Sequence, residues 1–221
     1  MKVLFVPSKY NLPFSINNIL LNKLPKIVGL VTTIQHIDSL NKVKNFLEKH
    51  NKKVKIGKSK KDKNKNLKKG QVLGCDVTAA SSIKEKVHAF LYIGSGKFHP
   101  LQISLATDKP VFIFNPLTQE FTHLRKKEII KAKERRKTAK IRFLSSNSCG
   151  ILVSTKPGQN KLKQALKLKN KLRKEGKLCY IFLFDNFQAE QLENFPSIEC
   201  WINTICPGLS LENPFPWIED I

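Results

Sequence analysis

Two stretches of this chain, Ile27 to Thr33 (IVGLVTT) and Cys149 to Thr155 (CGILVST), are apolar runs of strand length, and each closes on a pair of hydroxyl residues. A segment with apolar residues on one helical face follows each: Leu40, Val43 and Leu47 after the first, Leu162, Ala165, Leu166 and Leu172 after the second. A Lys-rich turn then leads to a second apolar run, Val54 and Ile56 in one case and Cys179 to Phe184 in the other. A cysteine comes later in both, Cys75 in GQVLGCD and Cys206 in WINTICPG. The spacing from hydroxyl pair to cysteine is 42 residues in the first and 51 in the second, so the match is one of topology and not of period. Strand, one-sided helix and returning strand bury their apolar faces together by forming a parallel sheet. The predicted fold class is therefore α/β: two consecutive three-layer α/β/α domains with mainly parallel sheets, related as an internal repeat, at 1–143 and 144–221. The two cysteines are expected at equivalent ends of the repeated units, close together where the domains join.

Along the chain, Val3 to Val6 reads as a buried strand, Asn17 to Leu24 as a short helix, Ile27 to Val31 as a strand, and Lys42 to His50 as the helix returning to Val54. The tract from Lys58 to Lys69 reads as a loop, because like charges repel and Leu67 is its only large apolar residue. Order resumes at Val72 and Leu73, and Asp76 to Ser82 carries a helix start. Ala89 to Ile93 is a strand, Gly94 to Gly96 a turn, Pro100 to Ala106 a helix and Val111 to Phe114 a strand ended by Asn115-Pro116. A long basic helix from about Phe121 to Phe143 leads into the second domain.

At 221 residues and 41% hydrophobic content the chain can build a core. No run approaches the roughly 18 apolar residues of a membrane span, and MKVLFVPSKY lacks the basic-then-apolar pattern of a secretory leader. Five cysteines without framework spacing indicate reduced thiols, and a cytoplasmic protein is expected. The net charge of +23 is concentrated in three runs: Lys49 to Lys69 with eleven lysines and one acid, Arg125 to Arg142 with ten basic residues and two acids, and Lys161 to Lys177 with eight and one. Such runs suit phosphate contacts, but aromatic residues are not interleaved with them as single-strand binding requires, and lysines on helix backs are commonly a solvated face. Nucleic acid is not the expected partner.

In open parallel sheets the loops beyond the carboxyl ends of the strands gather functional groups. Both cysteines fall there. So do Thr33, Gln35 and His36 after one strand, Gly94 and His99 after another, and Thr155, Lys156 and Gln159 after the first strand of the second domain. Each has a structural alternative: the hydroxyls can cap helices, the glycine can make a turn and the histidines can be satisfied polar residues. It is their convergence on sheet ends that selects them as candidates. Lys156 suits a carboxylate, and Gln35 and Gln159 suit polar groups of a bound cofactor.

GQVLGCD, FLYIGSGKFHPLQISLATDKPVFIFNP, GILVSTKPGQ and WINTICPG, in this order and together with VGLVTTIQHI, resemble the second and third domains of the diphthamide synthesis enzyme family. The resemblance implies an unusual radical-SAM 3-amino-3-carboxypropyltransferase with three related α/β domains, each supplying one cysteine to a [4Fe-4S] cluster. Cys75 and Cys206 match the second and third of those metal ligands. Cys149, Cys179 and Cys200 stand where the family needs none and read as small core residues. It further implies that S-adenosylmethionine sits on the open iron, that an electron cleaves its bond from sulfur to the γ-carbon, and that the aminocarboxypropyl group is added to C2 of a histidine ring in elongation factor 2.

Three positions depart from the family. Its first domain has no counterpart here, since Met1 begins almost at the first strand of the second domain; Ser95 stands where an acid is usual, and Gly208 where an arginine is usual. The expectation is a subunit of a homo- or hetero-oligomeric assembly, with the missing first domain on a separate chain and no membrane partner. The alternatives are a non-catalytic paralogue acting as a binding or electron-transfer partner, and a basic ribosome- or RNA-associated module.

Overall fold

The computed structural model describes residues 4, 6–10, 19–59 and 67–221. The chain divides into two compact units, Lys2–Ile129 and Ile130–Ile221. In the first, α1 (Ile19–Lys23) precedes β1 (Ile27–Thr32), α2 (Ser39–Lys49), β2 (Lys53–Lys55), α3 (Thr78–Ser81), β3 (Ala89–Ile93), α4 (Phe98–Thr107), β4 (Val111–Asn115) and β5 (Glu120–His123). The helix α5 (Lys126–Ser145) runs across the division. The second unit continues with β6 (Ser148–Ser154), α6 (Leu162–Lys174), β7 (Leu178–Phe184), β8 (Cys200–Asn203) and α7 (Leu209–Glu212).

Among the described residues the first sheet has the order β2-β1-β3-β4-β5, parallel except for the β4–β5 pairing. Side chains alternate across it. Val28, Leu30, Leu91, Ile93 and Phe114 pack against Leu40, Val43 and Leu47 of α2, each contributing about 1.5–3 kcal/mol through burial. Val31, Phe90, Tyr92, Val111 and Ile113 face Ala79 and Ala80 of α3 and Ile103 of α4. The second sheet, β7-β6-β8, is wholly parallel. One face packs on Ala165, Leu168 and Leu172 of α6 and on Phe143. Its other face is closed by Leu192 in a 3₁₀ turn, by Phe215 and by half-buried aromatic residues such as Phe182 and Trp201, so a regular second helix layer is not what covers it.

The two sheets share a local plan. In each, the first strand is central, the second lies on one side and the third on the other. Gly29 of β1 is the register partner of Phe90 of β3, and a Cβ there would lie 2.5 Å from the ring; Gly150 of β6 partners Trp201 of β8, with a Cβ 2.3 Å from the indole. One step earlier, the row Val54–Val28–Ala89 in the first sheet corresponds to Cys179–Cys149–Cys200 in the second. These three cysteines are buried, filling positions that aliphatic side chains fill in the other unit.

Several expectations change. Glu120–His123 is a strand antiparallel to β4, so the basic helix begins at Lys126 and not near Phe121. Leu166 is exposed, and Leu168 takes its place on the buried face of α6. Val3 to Val6 lies partly outside the described residues; Leu4 and Val6 are exposed and in no strand, β1 being flanked on both sides already. The start of the Asn17 helix and the middle of the lysine tract, 60–66, also lie outside the described residues.

Candidate functional site

The candidate groups gather at the carboxyl ends of the strands of each unit. In the first, the chain leaves β2, which pairs with the lower half of β1, and returns at Gly70 to Val72 beside its upper end. There the Thr32 amide donates to the Gly70 carbonyl at 2.9 Å and the Val72 amide to the Thr32 carbonyl at 2.8 Å. Cys75 follows this resumed edge row. Its turn is closed by the Asp76 amide donating to the Leu73 carbonyl at 3.1 Å, and the Asp76 carboxylate accepts from Ser59 Oγ at 2.7 Å, the Thr78 amide at 2.9 Å and Thr78 Oγ1 at 2.5 Å. Gly74 lies flat on the Phe98 ring, 2.5 Å from where a Cβ would be. The Cys75 thiol is exposed.

Phe98 opens α4 beside His99, whose imidazole stacks on Tyr92 at 5.8 Å and 12°. The Tyr92 hydroxyl meets the Thr33 side chain and lies 2.8 Å from a Cβ built on Gly94, which has a φ of 146°. Thr33, Gly94 and His99 therefore form one cluster around Tyr92, a β3 residue that is not among the candidates expected from the sequence. Burial pushes Tyr92 up to about 12, against the opposing effect of the Thr33 hydrogen bond, and burial lowers His99, favouring the neutral imidazole. His36, buried in the 3₁₀ turn Ile34–His36 and stacked on Tyr10 at 5.8 Å, is lowered for the same reason. The Gln35 carbonyl accepts from the Tyr10 amide at 2.8 Å. At the opposite, amino end of this sheet an open cleft of about 410 Å³ is lined by Leu24, His88, Pro110 and Phe112, away from the candidate residues.

In the second unit Thr155 Oγ1 donates to Asp185 at 3.1 Å, and Lys156 Nζ donates to Asn186 Oδ1 at 2.8 Å across the ends of β6 and β7. The partner of Lys156 is an uncharged amide, so its positive charge is oriented and not cancelled. The Gln159 amide donates to the Lys156 carbonyl at 3.1 Å, folding the loop back. Cys206 lies past the end of β8, half-buried, in a turn built around Asn203.

The two cysteines do not occupy equivalent positions. Cys75 comes after the row on the β2 side of the central strand and before β3; Cys206 comes after β8, the counterpart of β3. Linear order concealed this, because both cysteines follow a returning strand in the sequence. Cys149 and Cys200 are hydrogen-bonded neighbours: the hydrogen bond from Cys200, then Ser146 and the Lys177 ammonium, lower Cys149 against the effect of burial, while Cys149 and burial push Cys200 up. Among the described residues no group of three or more His, Cys, Asp or Glu side chains is arranged to hold a metal ion. Each unit offers one accessible strand-end thiol.

A family profile of diphthamide synthesis proteins matches residues 1–216. The chain is 32% identical over 198 residues to a 2-(3-amino-3-carboxypropyl)histidine synthase of Pyrococcus horikoshii, covering 89% of this chain and 55% of the relative. It is 34% identical over 182 residues to the synthase of Methanocaldococcus jannaschii, covering 79% and 51%. It is also 32% identical over 193 residues to the synthase subunit 1 of Schizosaccharomyces pombe, covering 84% and 42%. A crystal structure of Dph2 from Pyrococcus horikoshii with a 4Fe-4S cluster superposes with a TM-score of 0.76 at 30% identity, over 92% of this chain and 58% of that one. The chain spans about half the length of the curated relatives it matches.

Proposed function

We propose, starting from the fact that this chain belongs to the diphthamide synthesis protein family, that it forms part of a 3-amino-3-carboxypropyltransferase and that Cys75 and Cys206 are two thiolate ligands of its [4Fe-4S] cluster. One observation carries the assignment: of five cysteines, three are buried in a cross-strand row, and only the two at strand-end loops present sulfur outside the core. The donor set fits an iron–sulfur cluster in kind, since thiolates are its usual ligands, and falls short in number, so a third thiolate comes from beyond these two units. The cluster, when bound, supplies the electron that cleaves a carbon–sulfur bond of S-adenosylmethionine. Relatives of this chain include proteins named as subunit 1 of the synthase, which supports an assembly of more than one chain.

The remaining candidates take binding roles. Lys156, its charge oriented by Asn186, pairs with the carboxylate of S-adenosylmethionine, and Gln35 and Gln159 meet its polar groups. His99 and His36, kept neutral by burial, add no positive charge near a sulfonium cation. Tyr92 fixes Thr33 and His99 in one arrangement. The acceptor is a histidine of elongation factor 2, modified in the cytoplasm. The shared β-α-β plan, with Gly29 and Gly150 each receiving an aromatic ring from the third strand, supports descent of the two units from one duplicated scaffold.

The test is anaerobic reconstitution with the remaining part of the enzyme, followed by iron analysis and transfer to elongation factor 2. Cys75→Ser and Cys206→Ser should each lower transfer at least about a hundredfold, the upper range for changes to residues that merely support a metal ligand. Full activity and iron content in either variant would refute the assignment.

A further inference from the structure

Asn203 is the last residue of β8 and is fully buried, with 0% of its surface exposed. Its amide can form four hydrogen bonds and forms all four. Nδ2 donates to the Cys206 carbonyl at 2.7 Å and to Ser210 Oγ at 2.8 Å; Oδ1 accepts from the Ile205 amide at 2.8 Å and from the Cys206 amide at 3.3 Å. Both backbone polar groups of Cys206 are thus tied to one side chain. The next residue, Thr204, fastens the same turn to the central strand through Oγ1 to the Leu152 carbonyl at 2.6 Å. Few single side chains could replace this arrangement. An aspartate keeps the oxygen acceptors but has no N–H for the Cys206 carbonyl or Ser210, and an aliphatic residue satisfies none of the four groups.

We propose that Asn203 is the positioning residue of Cys206: it fixes the direction of the thiol and holds the Ile205 and Cys206 amides away from sulfur. The inference rests on the reading of Cys206 as a cluster ligand. Its chemical content lies in the second half of the statement. Backbone N–H groups that point at cluster or thiolate sulfur stabilise the reduced form and raise the reduction potential. With both amides committed to Oδ1, the potential on this side of the cluster is kept low, which suits a centre that must donate an electron to a carbon–sulfur bond.

The first arm uses the full 221-residue chain without any cluster. Iodoacetamide alkylation is followed peptide by peptide, by mass spectrometry under reducing conditions, in the parent and in Asn203→Ala, Asn203→Asp and Ser210→Ala. Cys206 in Asn203→Ala should react about tenfold faster, the factor that one lost buried hydrogen bond allows, with Cys75 unchanged as the internal control. Asn203→Asp should fall between the two, a partial rescue. An unchanged Cys206 rate in a folded Asn203→Ala refutes the positioning role; if that variant does not fold, parent-like rates in both Asn203→Asp and Ser210→Ala refute it.

The second arm measures the reduction potential of the reconstituted, cluster-bearing assembly. Asn203→Ala should shift it upward while iron content persists, and an unshifted potential refutes the electrostatic part. Should Cys206→Ser leave iron content intact, the cluster assignment itself is wrong, an outcome that the cluster-free arm does not share.

Discussion

Cys75 and Cys206 sit in turns of opposite construction. The Cys75 turn follows an edge row that breaks after β2 and resumes at Gly70, and it is held by the residue after the thiol: the buried Asp76 carboxylate accepts from Ser59 and Thr78, and Gly74 rests on Phe98. The Cys206 turn follows the third strand of its sheet and is held by a residue before the thiol, the buried amide of Asn203. The first strand of each unit and the two strands beside it correspond, with Gly29 and Phe90 answering to Gly150 and Trp201, while β4 and β5 have no counterpart in the second sheet. What the two units have in common is therefore the packing of a central strand, and the fastening of each cysteine is local and separate. Two sheets can share a local plan while the reactive residues they carry are reached by different loops.

The correspondence breaks most readily at the two glycines. Gly29→Val and Gly150→Val should each cost about 3 kcal/mol, because the added side chain must displace an aromatic ring in a close-packed sheet. Denaturant titration followed by circular dichroism measures both. Trp201 and Trp217, the only tryptophans, lie in the second unit and report its share by fluorescence. A loss confined to one glycine would mean that the two positions are not structurally alike.

A smaller effect sharpens the comparison at the strand ends. Thr32 Oγ1 donates to the Ile93 carbonyl at 2.6 Å, and Thr204 Oγ1 to the Leu152 carbonyl at 2.6 Å. Each clasps first strand to third, but the hydroxyl stands on the first strand in one unit and just past the end of the third in the other. Thr32→Val and Thr204→Val should each cost about 1 kcal/mol, read by the same titration.

The smallest expected effect is in acid. All five histidines lie in the first unit, and His36 and His99 have pKa values lowered by burial. The unfolded chain takes up their protons first, so their contribution is complete above the model-peptide value of 6.5 and is lost as pH falls below it. Denaturant titration with histidine NMR should show the first unit losing stability as pH falls below 6.5, with no matching histidine contribution in the second.

The parallel sheets were legible because Ile27 to Thr32, Ala89 to Ile93 and Ser148 to Ser154 are apolar runs that only a covered sheet accommodates. Glu120 to His123 was not, since its strand character depends on pairing with β4 across a turn in which Gln119 takes a φ of 57°. Leu166 and Leu168 are both at plausible helical spacing, and the choice between them depends on where α6 meets the sheet. The candidate groups at strand ends were identified by type, whereas Tyr92 and Asn203 were hidden inside apolar runs. For Asn203 the available signal was a polar residue at the last position of a strand, just before a turn; for Tyr92 it was a phenol one residue before the end of β3.

The edges of the two sheets differ in one further respect. Beside β1 the first sheet ends in β2, three residues with Lys53 and Lys55 outermost, a charged border that discourages another strand from adding on. The second sheet ends in β7, seven residues long, with Leu178, Tyr180 and Leu183 exposed and no charge within the strand. Its protection is collective: a net charge of +23 keeps copies of the chain apart through a field that reaches about 10 Å at 0.1 M salt and about 3 Å at 1 M. Colloidal stability is thus lent to this edge by the lysines elsewhere on the molecule, and concentrated salt withdraws it without disturbing the fold.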